Sequence, residues 1–203
     1  LFEYRFNILE DYSSIELIRT KNYSLQDTTI TLDDLLEVRK NTITKTDDNM
    51  DSTKIPFIQA NSMDRIISLL ENMYDNPMTL QQIAELMDFE LRQSDYYFNA
   101  GQYLGLFVKT NDDRQKVVSL TPLGVKVFKL NYKERQLKIV ELILEHKIFG
   151  DFFDSMIDTG EMPDKTEIAS EMRKLNVCGE GQVVRRASSV FGWLKWIFNL
   201  TRL

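Results

Sequence analysis

Residues 79–107, TLQQIAELMDFELRQSDYYFNAGQYLGLF, decide the fold. Ile83, Ala84, Leu86 and Met87 recur at helical spacing and form the apolar face of a short helix, with Thr79 placed to cap it. Asp88–Glu90 interrupt that pattern, and Tyr96, Ala100, Tyr103 and Leu104 resume it on a longer helix within residues 89–104. The spacing predicts a helix, a tight turn and a second helix. Downstream, Leu106–Val108 and Val117–Leu120 read as strands around the polar turn Asn111–Asp112–Asp113, and Thr121–Pro122 opens a helix over Leu123–Leu130. Upstream, Met63, Ile66, Ile67, Leu70 and Met73 mark an amphipathic helix capped by Ser62 and stopped by Asp75–Asn76–Pro77. Three helices followed by a hairpin make a winged helix-turn-helix over residues 60–130. Such a unit typically lays the second helix of its turn in the DNA major groove and sets the hairpin on the flanking backbone.

The remaining chain is read outward from this unit. Residues 131–162 form connecting helices, beginning with one over Asn131–His146 whose face carries Leu137, Val140 and Leu144. A second winged-helix-like unit is expected over residues 163–203. Its Ile168–Ala169 pair lies 85 positions after Ile83–Ala84, and Trp193–Leu194 lie 90 after Tyr103–Leu104, with the turn Asn176–Gly181 absorbing the difference before a helix over Gln182–Phe198. Residues 1–50 form an N-terminal segment of unassigned fold. They hold the alternating Phe2–Tyr4–Phe6–Ile8, the pair Ile15 and Leu17, and a short helix LDDLLEVRK that Thr31 would cap. TKTDDNMDSTKIP, residues 44–56, is apolar-poor and reads as a linker. The expected class is therefore mainly α (α+β), with tandem winged helix-turn-helix units and a small N-terminal α/β segment. The chain begins at Leu1 and is expected to be a fragment of a longer protein.

Composition bounds the function. With 203 residues, 43% hydrophobic, the chain can bury a substantial core, and no apolar run approaches the ~20 residues a bilayer span needs. The first residues lack a signal-peptide layout, and a lone Cys178 forms no internal disulfide and no Cys-rich metal cage. A cytoplasmic protein with a buried, inert thiol is expected. The net charge of −6 opposes phosphate binding as a single number, but its distribution is uneven. Residues 1–78 hold 14 acidic and 8 basic side chains, residues 79–130 hold 6 of each, and residues 131–163 hold 7 against 4. Only residues 164–203, with 4 acidic and 7 basic, are net positive, so any basic patch is local.

For base readout, the candidates are Arg92, Gln93, Ser94, Tyr97 and Asn99, since Arg pairs with guanine and Gln or Asn with adenine in bidentate fashion. Glu90 and Asp95 on the same helix oppose this by repelling phosphates, and Tyr96 or Tyr97 also fits a core position. Lys109, Arg114 and Lys116 on the hairpin, and Arg185 and Arg186 near the start of the last helix, are the candidates for backbone phosphates. Arg185 and Arg186 equally suit ion pairs with Glu171 or Glu180, while Phe191, Trp193 and Trp196 have the helical spacing of core residues.

FELRQSDYYFNAGQYLGLF, with LTPLGVKVF after it, resembles the winged-helix domain of certain type II restriction endonucleases and related restriction-modification proteins. There an Arg-Gln-x-Asp-Tyr-Tyr-x-Asn-Ala core leads into Tyr-Leu-Gly-Leu. The tail RRASSVFGWLKWI is similar to the companion motif of the same group, and together the two motifs cover roughly residues 60–200. The resemblance implies a double-stranded DNA-recognition region of tandem winged helices. A nuclease would need an Asp followed by Glu-x-Lys to hold Mg²⁺ at the scissile phosphate. Glu16-Leu-Ile, Glu37-Val-Arg and Glu134-Arg-Gln all lack that pattern, and His146 has no partner spacing, which leaves it as a partly exposed residue near a helix end. No catalytic residue, metal site or cofactor is assigned, and catalysis is expected in another segment. The alternative is a protein-interaction scaffold in which the acidic first third and the aromatic C-terminal helix build a homodimer or docking surface.

Overall fold

The structure, a computed structural model, describes residues 28–46, 48–112 and 115–202, together with the paired backbone of residues 4–8 and 15–19. It is mainly helical, of α+β type, with two small antiparallel strand pairs among the described residues. Strands β1 (Tyr4–Ile8) and β2 (Ile15–Arg19) pair with Phe6 opposite Leu17. Helix α1 (Leu32–Asn41) starts at a full capping box, in which Thr31 and Asp34 each satisfy the other's backbone N–H. Then follow α2 (Met63–Asn72), α3 (Leu80–Met87) and α4 (Leu91–Tyr103), the hairpin β3 (Phe107–Asp112) and β4 (Gln115–Leu120), and α5 (Pro122–Phe128). Four helices complete the chain: α6 (Tyr132–Leu144), α7 (Lys147–Thr159), α8 (Lys165–Lys174) and the 20-residue α9 (Glu180–Asn199).

The helix ends follow the side chains that cap them. Thr79 and Gln82 form the capping box of α3, Thr121 caps α5 with Pro122 at its first position, and Asn131 caps α6. Between α3 and α4 the chain turns at Asp88, which takes a left-handed φ of 52°, and the Phe89 N–H reaches back to the Ala84 carbonyl at 2.8 Å. The α8–α9 turn repeats the device. Asn176 has φ 50°, and the Val177 N–H reaches the Met172 carbonyl at 3.2 Å. The paired positions of the expected repeat share their burial, with Ile83, Ala84, Ile168 and Ala169 all inside, as are Tyr103, Leu104, Trp193 and Leu194. No strand follows α9 among the described residues, so the second helix-turn-helix lacks a hairpin there.

One continuous apolar cluster runs from Ile30 to Leu200 and takes residues from α1 through α9. At its centre Tyr103 meets Trp193 edge-on at 6.1 Å, and Trp193 stacks on Phe149 at 5.5 Å, which joins α4, α9 and α7. Helix α9 is laid along residues 57–64. Arg186 donates to the Phe57 carbonyl (2.8 Å), Trp193 to the Ala60 carbonyl (2.9 Å) and Trp196 to Asp64 (3.1 Å). Gly192 permits this approach, because a Cβ there would stand 2.6 Å from the Asn61 carbonyl oxygen.

Two expectations change here. Residues 44–46 and 48–56 are docked and do not run free as the expected linker: Lys45 N–H bonds the Glu145 carbonyl (2.9 Å), Met50 N–H bonds the Asn176 carbonyl (2.9 Å), and Asp48 is buried. His146, expected to be partly exposed near a helix end, is buried and serves as the N-cap of α7, directly after the Glu145 C-cap of α6, the helix expected over Asn131–His146. Its partner is Asp48, 98 residues away in sequence and so invisible to local spacing. The Asp48 Oδ1 lies 2.7 Å from His146 Nδ1 and accepts the Tyr103 hydroxyl at 2.7 Å, while His146 Nε2 lies 3.2 Å from the Tyr103 carbonyl oxygen. Both ring nitrogens therefore face acceptors.

Candidate nucleic-acid interface

The exposed starts of α4 and α9 come together over Tyr96. The Arg92 guanidinium stands 5.5 Å from the Tyr96 ring centroid and that of Arg185 5.9 Å, both within cation–π range. Arg185 is held in place by the Gln59 side-chain oxygen at 3.2 Å. Behind Tyr96, the neighbouring Tyr97 is buried and stacked on Phe89 at 4.7 Å, with Arg65 lying 4.8 Å over that Phe89 ring. Burial raises the Tyr97 phenol above its ordinary value, with Arg65 opposing that shift. Three arginines from α2, α4 and α9 thus gather around the paired tyrosines of α4. None of the three is in an ion pair among the described residues.

The ten residues singled out from sequence divide sharply. Arg92, Gln93, Lys116 and Arg185 are exposed. Gln93 accepts the Glu90 N–H through its side-chain oxygen (3.2 Å), which closes the α4 capping box and does not use its amide NH₂. Asn99 is half-buried and donates to Asp95 at 3.3 Å. Lys109 is held by the Asp95 carboxylate at 2.8 Å and lies 4.2 Å over the Phe98 ring, so its charge is already matched. Arg114 lies outside the described residues. Ser94, Tyr97 and Arg186 are corrections. Ser94 is fully buried and Tyr97 is 5% exposed, because both fall on the α4 face turned to the core. Arg186 is 6% exposed and donates inward to the Phe57 carbonyl, so it is not the surface phosphate contact expected of it.

Neither arginine of that pair takes the acidic partner considered for it. Glu180 pairs with Arg173 (2.6 Å) and Glu171 with Lys174 (2.8 Å). Arg65 and Gln59 were missed, and neither carries a sequence signal: Arg65 sits on an ordinary amphipathic helix, and Gln59 matters only through the packing of α9 against residues 57–64. Trp193 and Trp196 are buried and form no stacking platform. Among the described residues no group of three His, Cys, Asp or Glu is arranged to hold a metal, and no helix is long and apolar enough to cross a membrane.

No curated protein and no solved structure matches the chain. A family model described as a domain of unknown function, DUF7226, matches residues 65–202, about two thirds of the chain, and the chain belongs to that family.

Proposed function

We propose that this protein is a double-stranded DNA-binding module of the kind used by restriction-modification proteins, with the catalytic part carried elsewhere. The observation that supports it most is the convergence of Arg92 and Arg185, from two different helix-turn-helix units, on Tyr96. In this reading α2 to α5 make a winged helix. The Met78–Val118 bridge, with N–H to carbonyl distances of 2.9 and 2.7 Å, supplies the short third strand that anchors a wing. The matching left-handed turns at Asp88 and Asn176 support a tandem pair. Arg92 and Gln93 at the start of α4 read base edges, while Arg185 and Lys116 take backbone phosphates.

Fluorescence anisotropy on random and selected duplexes at increasing salt tests this. Arg185→Ala is expected to weaken binding evenly across sequences and to reduce the salt slope by ~0.9 for one lost phosphate contact, while Arg92→Ala relaxes sequence preference. No duplex binding at low salt, or binding that salt leaves unchanged, refutes the proposal.

A second reading, a self-associating interaction scaffold, has its own support in Leu86 and Leu91, which are 45% and 53% exposed on either side of the α3–α4 turn. In that case Leu91→Asp converts a dimer to a monomer in analytical ultracentrifugation and leaves duplex binding where it was.

A further inference from the structure

We infer that the cavity beside the first two turns of α9 binds a phosphoryl group or a similar oxyanion. This rests on observations separate from the Arg92–Tyr96–Arg185 cluster. The cavity, of about 230 Å³, is lined on α9 by Gly179, Gln182 and Arg186, which share one helical face, and opposite them by Lys54 and Phe57. That volume is below the ~300–1,000 Å³ of pockets for organic ligands and ample for a tetrahedral anion with several waters at ~30 Å³ each.

Arg186 is the first support. Its side chain is 94% buried by the 6% exposure that remains, one Nη donates to the Phe57 carbonyl, and its Nε is buried with no partner. Among the described residues no carboxylate forms an ion pair with it. Burial is the main influence and lowers its basicity, the adjoining Arg185 lowers it further, and the groups that oppose this are Cys178 and Tyr96. A buried guanidinium without an acid is strongly disfavoured unless an anion completes it.

The start of α9 is the second. Its N-cap is Gly179, which offers no side chain to the free N–H groups of the first turn. Glu180, the one acid in that turn, is drawn to Arg173 with contacts of 2.6 to 3.0 Å. The positive end of a 20-residue helix and the buried Arg186 therefore border one small cavity, with Lys54 also on its lining.

Gly179→Asp tests the site without threatening the fold. A Cβ at Gly179 meets nothing within 4 Å, and the backbone there (φ −60°, ψ 145°) already suits an N-cap aspartate. Its carboxylate would take the N–H groups an anion needs and repel the anion itself. Thermal unfolding is followed with inorganic phosphate against chloride at matched ionic strength. The wild type is expected to gain about 5–10 °C at a hundredfold excess of phosphate over its Kd. The variant is expected to unfold at or above the unliganded wild-type temperature and to show no response to phosphate.

Duplex binding by the same variant identifies the source. If Gly179→Asp weakens it and phosphate competes, the group is a DNA phosphodiester; if duplex binding is unchanged, the group is a free phosphorylated molecule. No stabilisation beyond chloride, or equal stabilisation of both proteins, overturns the inference. Failure of duplex binding alone overturns only the DNA-binding proposal.

Discussion

Asp48→Ala removes one acceptor from between two buried donors, and its cost follows from the geometry. The residue is 4% exposed and takes the Tyr103 hydroxyl and His146 Nδ1 at 2.7 Å each. Neither donor can turn to water, since the two rings are stacked at 3.7 Å in the interior. Each orphaned donor costs ~1–3 kcal/mol, so the pair costs ~2–6. Against this, Asp48 Oδ2 is buried without a partner, and deleting the carboxylate recovers a desolvation cost of ~1–3 kcal/mol. The net loss is about 2 kcal/mol, a sizeable share of the ~5–15 kcal/mol of a typical domain. Urea titration followed by tryptophan fluorescence reads it directly, because Trp193 lies edge-on to Tyr103. Tyr103→Phe keeps both ring contacts and removes one donor, for ~1 kcal/mol. The double variant should then be less destabilised than the sum by ~1 kcal/mol, since the phenol is no longer stranded. Asp48→Ala within ~0.5 kcal/mol of wild type, or strict additivity, would refute this account of the cluster.

Burial, reinforced by the neighbouring Asp48, holds the Tyr103 phenol well above its ordinary value. The fold therefore favours the neutral phenol. That contribution is complete below the unfolded value of ~10 and is lost as pH rises from there through the folded one, so wild type should lose urea resistance above pH ~10 more steeply than Tyr103→Phe. Gly192→Ala drives a Cβ to 2.6 Å from the Asn61 carbonyl oxygen, and a cost of ~1–3 kcal/mol is expected by denaturant titration. Burial also pushes the Cys178 thiol up, so the native protein should react slowly with a disulfide reagent and quickly once unfolded in urea.

The helices and hairpin of residues 60–130 were legible because each carries its own signal. Ser62, Thr79 and Thr121 each stand at an N-cap, and apolar residues recur at helical spacing behind them. The face of α4 was less legible. Ser94 and Tyr97 are polar residues in a run that suits base readout, and only the packing of α2 and of Phe89 against that run shows them turned inward. Residues 44–56 misled for a similar reason. Their polarity suggests a linker, yet Asp48 is buried because Tyr103 and His146, 55 and 98 residues away, satisfy it together. Arg185 and Arg186 are adjacent and chemically identical. Their opposite fates depend on which of them α9 turns toward Phe57, a matter of helix docking that composition cannot reach.

The acidic balance of the chain, which first argues against a polyanionic partner, bears differently on the proposal once the cations are sorted by what holds them. Seven arginines have described side chains, and Arg39, Arg135 and Arg173 are each spent on a carboxylate. The other four, Arg65, Arg92, Arg185 and Arg186, lie on α2, α4 and α9, where Tyr96 and Tyr97 and residues 57–59 link them. Random surface placement would spread unpaired arginines among the acids, since 31 Asp and Glu are available to them. These three helices thus bring four arginines without an ion pair together within a net-negative molecule, and at ~8–10 Å of screening it is the local balance of charge that a phosphate meets. Neutralising Arg92 and Arg185 together should therefore lower the salt slope of duplex binding by at least the ~0.9 of the Arg185 phosphate contact, although it makes the total charge only two units more negative. If the slope instead tracked net charge, with an exposed lysine pair such as Lys40 and Lys126 giving the same loss, the interface would not be where α4 meets α9.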